Sequence, residues 1–480
     1  MKISQTSITA RIDIDARPAP SIRGALASLS LSMLLSSLGT SIANVGLPTL
    51  AASFSASFQA VQWVVLAYLL TITALIVSVG RLGDLMGRRR LLLVGISLFT
   101  AASILCAVAP ALGFLVAARA LQGVGAAIMM ALTMALVGEA VSKEKMGSAM
   151  GMLGTMSAMG TSLGPTLGGV LIASVGWQGI FLVNVPLGLL AIVLAWRFLP
   201  VDRREEKTGR SGFDPLGTLV LVLALLAYAL AMTVGRGSFG PVNTALLLIA
   251  LGGVCLFVFI ENTTSSPLVK LAMFHNPLLS AGFVMSTLVT TVVMATMVVG
   301  PFYLSGALAL NSASVGLVMS TGPLVAALTG VPAGRLVDRL GAHRSGISGL
   351  IGMATGALIL PVVPMSVGVS GYIVPLAIIT AGYALFQAAN NTAVMTSIQA
   401  EQRGVVSGLL GLSRNLGLIT GASVMGAVFA LGAAGTNILQ AKPEAIATGM
   451  RMTFAVAFVL IVAAIAIGVI SPFVSRRCRQ

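Results

Sequence analysis

Two arginines, Arg119 and Arg414, lie inside long apolar runs that carry no other charge. A guanidinium at such depth in hydrocarbon costs about 3 kcal/mol on insertion scales, so each should face an interior and find acceptors or bind a ligand there. Backbone carbonyls could satisfy Arg119 in a purely structural role, and that alternative stays open. Other polar groups in the apolar runs can hold a molecule but not break a bond: Asn44, Trp63, Tyr68, Gln387, Asn390, Asn391 and Asn415. Gln387 and Asn391 stand at i and i+4 and share one helix face. They either point into a cavity or tie helices together by hydrogen bonds. The acids Asp84, Glu139, Asp214, Glu261, Asp338 and Glu401 fall at the ends of the runs or between them, and none is near a centre. Enzyme chemistry has little to work with. The histidines are His275 and His343, both between apolar runs, and no GxxxxGK segment could cradle a nucleotide's phosphates. Cys106, Cys255 and Cys478 are too far apart for a disulfide framework or metal spacing. The expectation is no enzyme, no catalytic residue, no metal and no cofactor.

The elements carrying these residues follow from composition. With 57% hydrophobic and 9% charged residues among 480, and a mean hydropathy of +1.02, a water-soluble fold would lack polar side chains to cover its surface. Apolar stretches long enough to cross ~30 Å of hydrocarbon recur throughout. They lie near 25–47, 60–80, 91–110, 112–137, 147–174, 178–198, 215–234, 243–261, 278–302, 314–334, 345–363, 372–397, 404–432 and 452–474, fourteen in all. Charge supports the count. Of 28 Lys and Arg, only Arg236, Lys442 and Arg451 fall in connections on one side, Arg119 and Arg414 fall inside spans, and all the others gather on the opposite side. Basic residues collect on the cytoplasmic face, so both termini are expected there. The net charge of +15 does not suggest nucleic acid, because the basic residues form no stripe with interleaved aromatics. The first twenty residues lack an apolar secretory core, so no cleavage is expected.

An internal repeat is visible by eye. Gly80-Arg81-Leu82 with Asp84 and Gly87 recurs as Gly334-Arg335-Leu336 with Asp338 and Gly341, an offset of 254. Gly147, Gly151, Gly154, Gly160, Gly164 and Gly169 recur as Gly404, Gly408, Gly411, Gly417, Gly421 and Gly426, each at an offset of 257. Two agreeing offsets indicate a duplicated bundle whose halves are oriented alike in the membrane. The segment Gly80-Arg81-Leu82-Gly83-Asp84-Leu85-Met86-Gly87-Arg88-Arg89-Arg90 is expected to be a tight loop, with glycines supplying positive φ, Asp84 capping a nearby helix, and the arginines pairing with acids and headgroups.

That segment resembles the loop between the second and third spans of the fourteen-span drug:proton antiporters of the major facilitator superfamily, and the resemblance covers nearly the whole chain. Arg119-Ala120-Leu121-Gln122-Gly123-Val124-Gly125 is similar to the family's fourth-span motif. Gly160, Gly164, Pro165, Gly168 and Gly169 resemble its antiporter-type fifth span, and Trp177-Gln178 through Phe181, Asn184, Pro186 and Gly188 its sixth, with Gln178 where arginine is common. In the first span, Leu38-Gly39-Thr40-Ser41-Ile42-Ala43-Asn44-Val45-Gly46-Leu47-Pro48 carries Gly39 where the family usually has aspartate. A central carboxylate would carry a proton and attract cations, and this chain has none there.

The resemblance implies an all-α polytopic membrane protein of the major facilitator fold with 14 transmembrane helices, two six-helix pseudo-repeat bundles plus two extra helices. The expected divisions are a tail at 1–24, a bundle at 25–198, a linker at 199–214, two inserted helices at 215–261, a linker at 262–277, a second bundle at 278–474 and a tail at 475–480. It also implies a conformational gate of Gly80, Arg81, Gly83, Asp84, Gly87, Arg88 and Arg89, with Asp84 facing the start of the helix near Gly404. A coupling set of Arg119, Gln122, Gly123 and Glu139 follows, with Gly160, Gly164, Pro165, Gly168 and Gly169 as the antiporter helix's sliding surface, where a neighbouring helix approaches closely. Asn44, Trp63, Tyr68, Gln387, Asn390, Asn391, Arg414 and Asn415 would line the cavity. The expected activity is export of small amphipathic compounds by alternating access, coupled to protons, from a monomer in the inner membrane's lipid bilayer. An organic anion or metabolite carrier, independent of a gradient, and a non-transporting receptor or lipid-handling protein are the alternatives.

Overall fold

The structure, a computed structural model, describes residues 22–56, 58–200, 214–233, 240–264, 267–310, 312–433 and 442–477. Among these the secondary structure is helical. In chain order the helices are α1 (Ile22–Ser53), α2 (Phe58–Met86), α3 (Arg88–Ala107), α4 (Leu112–Ala140), α5 (Met146–Val175), α6 (Gly179–Leu182), α7 (Asn184–Phe198), α8 (Pro215–Thr233), α9 (Pro241–Thr263), α10 (Pro277–Phe302), α11 (Ser312–Met319), α12 (Thr321–Leu340), α13 (Ala342–Val362), α14 (Ser370–Thr396), α15 (Arg403–Gly432) and α16 (Pro443–Arg477). Thirteen stretches among the described residues are long and apolar enough to cross a membrane. Glycines stay helical in them because lipid offers the backbone no other hydrogen-bond partner.

The expected loop at Gly80 is not a loop. Helix α2 continues to Met86, and the reversal into α3 falls on Gly87 alone, at φ 100°. Its repeat counterpart Gly341, at φ 84°, does the same between α12 and α13. Similarly α16 begins at Pro443, so Arg451 lies within a helix and not in a connection. At its C-terminal end α10 passes Pro301, which has no N–H to donate, into a π-turn over Tyr303–Ala307.

Within the first half, α1 packs on α5, α2 on α4 and α3 on α4; within the second, α10 packs on α15, α13 on α14 and α12 on α14. Phe429, Phe454, Tyr372 and Met353 are buried in the second half's own core. The halves meet crosswise: α2 lies against α15, and α5 against α12. These pairings join opposite copies of the two repeated segments, as a pseudo-twofold axis between the halves requires. Helices α8 and α9 form a hairpin, and α8 rests on α2 and α15.

Candidate functional site

At the basic end of the bundle two carboxylates cap helices of the opposite half. Asp84, on α2, accepts the backbone N–H groups of Gly404 (3.0 Å) and Val405 (3.1 Å) at the start of α15. Asp338, on α12, accepts those of Gly147 (2.7 Å) and Ser148 (2.9 Å) at the start of α5, together with the Ser148 hydroxyl. A helix N-terminus carries unsatisfied donors and a partial positive charge, so each contact is a charge-assisted clasp. Close approach depends on glycine. A Cβ at Gly80 would collide with the Gly404 carbonyl, and one at Gly334 with the Gly147 carbonyl. Arg88 binds Asp84 through Nε (3.0 Å) and a terminal nitrogen (2.7 Å), and also reaches Glu139 and the Ala400 carbonyl. Arg89 donates to the Trp196 carbonyl. Arg81 is half-buried on α2, and Gly83 packs against Leu132.

The expected coupling set divides. Arg119 is fully buried and each of its three nitrogens has an acceptor: Nε binds the Val64 carbonyl (2.9 Å), one terminal nitrogen the Gln122 Oε1 (2.6 Å), and the other the Gly39 carbonyl (3.0 Å). Its guanidinium carbon sits 4.2 Å from the centre of the Tyr68 ring, a cation–π contact. Gln122 in turn donates to the Ser103 hydroxyl (2.7 Å), and Tyr68 to the Ser36 carbonyl (2.8 Å). Gly123 lets the Tyr68 backbone approach, since a Cβ there would stand 2.8 Å from its carbonyl oxygen. Glu139 is elsewhere. It lies twenty residues along α4 from Arg119, ~30 Å at 1.5 Å per residue, and is paired with Arg88 at the basic end.

The fifth-span glycines also separate. Cβ atoms at Gly160 and Gly164 would press on α1, at 2.6 Å from the Leu34 carbonyl and 2.9 Å from the Ile42 nitrogen. Their contacts are therefore inside the first half, and the glycines of α5 that face the second half are Gly147 and Gly151. The reason is helical phase: thirteen residues of helix turn the chain by about 220° beyond whole turns, so the two pairs occupy nearly opposite faces. Gly168 is buried and Gly169 is exposed with nothing near it. The side chains of Asn44 and Pro165, Arg236, and most of the expected tails and of the 199–214 linker lie outside the described residues.

Between the halves is a cavity of about 30 Å³. The first half contributes Met33, Met130, Met134, Met150, Leu153 and Gly154; the second contributes Ser286, Thr290, Tyr383, Phe386, Gln387, Asn390, Asn391, Leu410, Gly411 and Arg414. One wall is thus apolar and thioether-rich, the other polar and cationic. That volume holds a water or two, so a drug-sized guest requires the halves to part. Asn390 donates to the Gly282 carbonyl (3.1 Å) and serves helix packing, whereas Gln387 and Asn391 face the cavity. Tyr68 lies under Arg119, Trp63 is 41% exposed, and neither they nor Asn415 line the cavity. The abundance of methionine suits adaptable cavity walls, but the sequence did not single out Tyr383 or the particular methionines that line this one. Tyr383 was detectable, since it precedes Gln387 by the same four residues that separate Gln387 from Asn391.

The model of the Major Facilitator Superfamily matches residues 29–422. Multidrug resistance protein Stp of Mycobacterium tuberculosis is 32% identical over 409 residues, covering 84% of this chain and 75% of Stp. Riboflavin transporter RibZ of Clostridioides difficile is 30% identical over 407 residues, covering 84% of this chain and 87% of RibZ. The crystal structure of the human organic anion transporter MFSD10 superposes with a TM-score of 0.64 at 17% identity, over 92% of this chain and all of that one, a likeness of fold.

Proposed function

The chain belongs to the Major Facilitator Superfamily, and from that premise we propose that it exports small amphipathic compounds across the inner membrane by alternating access, in exchange for protons. The observation that carries this reading is the cavity enclosed by both halves, with the paired clasps of Asp84 and Asp338 closing one end of the bundle. Relatives named for multidrug resistance support the substrate class, and the methionine wall suits guests of varied shape.

On this reading there are fourteen spans. The 30-residue α5 joins the thirteen already counted, ~45 Å at 1.5 Å per residue. The halves are 25–198 and 278–474, with 215–261 inserted between them, and the basic end faces the cytoplasm with both termini. Asp84 and Asp338 latch the cytoplasmic side shut, and release of both clasps opens the cavity inward. Arg119 holds α1, α2 and α4 in register around its three acceptors. With Gly39 in the first span, the proton carrier is one of the acids at the basic end that change partners on opening: Asp84, Glu139 or Asp338.

The test is substrate-induced pH change in liposomes containing the purified protein, with and without an imposed proton gradient. Antiport predicts accumulation only with the gradient, accompanied by proton movement in the opposite direction. Equal movement without a gradient would replace antiport by facilitated diffusion.

A further inference from the structure

The two intramembrane arginines are in opposite conditions. Arg119 has an acceptor for each nitrogen and an aromatic ring beneath it. Arg414, on α15, lines the central cavity; its Nε is buried without a hydrogen-bond partner, and no ion pair among the described residues reaches it. The cavity lining contains no Asp or Glu to neutralise it. Gln387 and Asn391, one turn apart on α14, line the same wall with no hydrogen-bond partner among the described residues, and the Tyr383 hydroxyl lies within electrostatic reach of the guanidinium. A guanidinium in a low-dielectric chamber is stabilised by a ligand that brings the missing negative charge, and its planar fork suits two oxygens at once. The facing wall of Met33, Met130, Met134 and Met150 offers only apolar, polarizable surface.

We infer that this wall is a headgroup subsite, in which Arg414, flanked by Gln387 and Asn391, takes the carboxylate, sulfonate or comparable anionic end of an amphipathic substrate while the methionines take its apolar body. The inference rests on the export reading and narrows it, assigning amphipathic anions as the preferred cargo over the cations that a central carboxylate would favour. Transport then requires no acid in the chamber, in keeping with Gly39 in the first span.

Fluorescein and rhodamine 123 share a tricyclic body and differ in the sign of their charge. Uptake of each into inverted vesicles should be measured for the wild-type chain, Arg414→Gln and Arg414→Lys, with membrane content of each variant verified. The expected result is preferential uptake of fluorescein by the wild type, a loss of about tenfold in Arg414→Gln for fluorescein but not for rhodamine 123, and partial retention in Arg414→Lys. Wild-type uptake of rhodamine 123 with refusal of fluorescein would overturn this assignment and leave export standing. Equal loss of both dyes in Arg414→Gln would make the arginine structural and overturn it as well. Absence of uptake of either dye by the wild type would remove both the subsite and the export reading.

Discussion

A buried cation is informative only through its partners. Arg119 bridges the backbones of α1 and α2 from α4 through the Gly39 and Val64 carbonyls. Removing it strips the Gly39 and Val64 carbonyls of the second hydrogen bond each accepts beside its intrahelical one, and leaves the Gln122 Oε1 without its Arg119 donor inside the bundle. One orphaned buried amide oxygen costs about 1–3 kcal/mol, and the lost carbonyl bonds and the Tyr68 ring contact add to it, so Arg119→Leu should destabilise the protein by roughly 2–4 kcal/mol. Thermal unfolding in detergent should show a transition lowered by several degrees, with transport of anionic and cationic dyes falling together. Selective loss of one dye would assign Arg119 to binding and not to structure. This residue was legible in the sequence as an embedded charge needing acceptors. Its acceptors were not, because backbone carbonyls leave no trace in the sequence of the helices that supply them.

The repeated segments gain their meaning at the scale of helices. Sequence alone shows that Gly80 and Gly334 are copies, as are Gly147 and Gly404. It does not show that α2 meets α15 while α12 meets α5, because a repeat states likeness and not contact. The glycines near Asp84 suggested a loop because glycine breaks helices in water. In lipid they stay helical and provide near contact between backbones. Gly80→Val should therefore act like loss of the Asp84 clasp, since its side chain would meet the Gly404 carbonyl. Both Gly80→Val and Asp84→Asn are expected to separate α2 from α15 at the basic end. Spin labels at exposed Met86 and Gln399 should report a longer and broader distance in either variant, and inverted vesicles should take up substrate more slowly. An unchanged distance with undiminished uptake would remove the latch assignment.

For the molecule as a whole, hydropathy and charge placement make the class of fold readable in the sequence, and the duplicated motifs make its symmetry readable. The chamber was only partly readable. Gln387, Asn391 and Arg414 stood out as polar residues in apolar runs, but the methionine wall did not, since 23 methionines are spread through the chain. Tags on both termini should be reachable only from the cytoplasm; labelling of either from the opposite face would invalidate the alternation of spans on which the orientation rests. The most direct test of alternating access measures two distances in one reconstituted population, between Met86 and Gln399 at the basic end and between Ser53 and Ser305 at the other. Adding substrate should lengthen one distance as it shortens the other, because a single chamber cannot open to both sides at once. Distances that change together, or remain fixed while substrate crosses the membrane, would contradict the account.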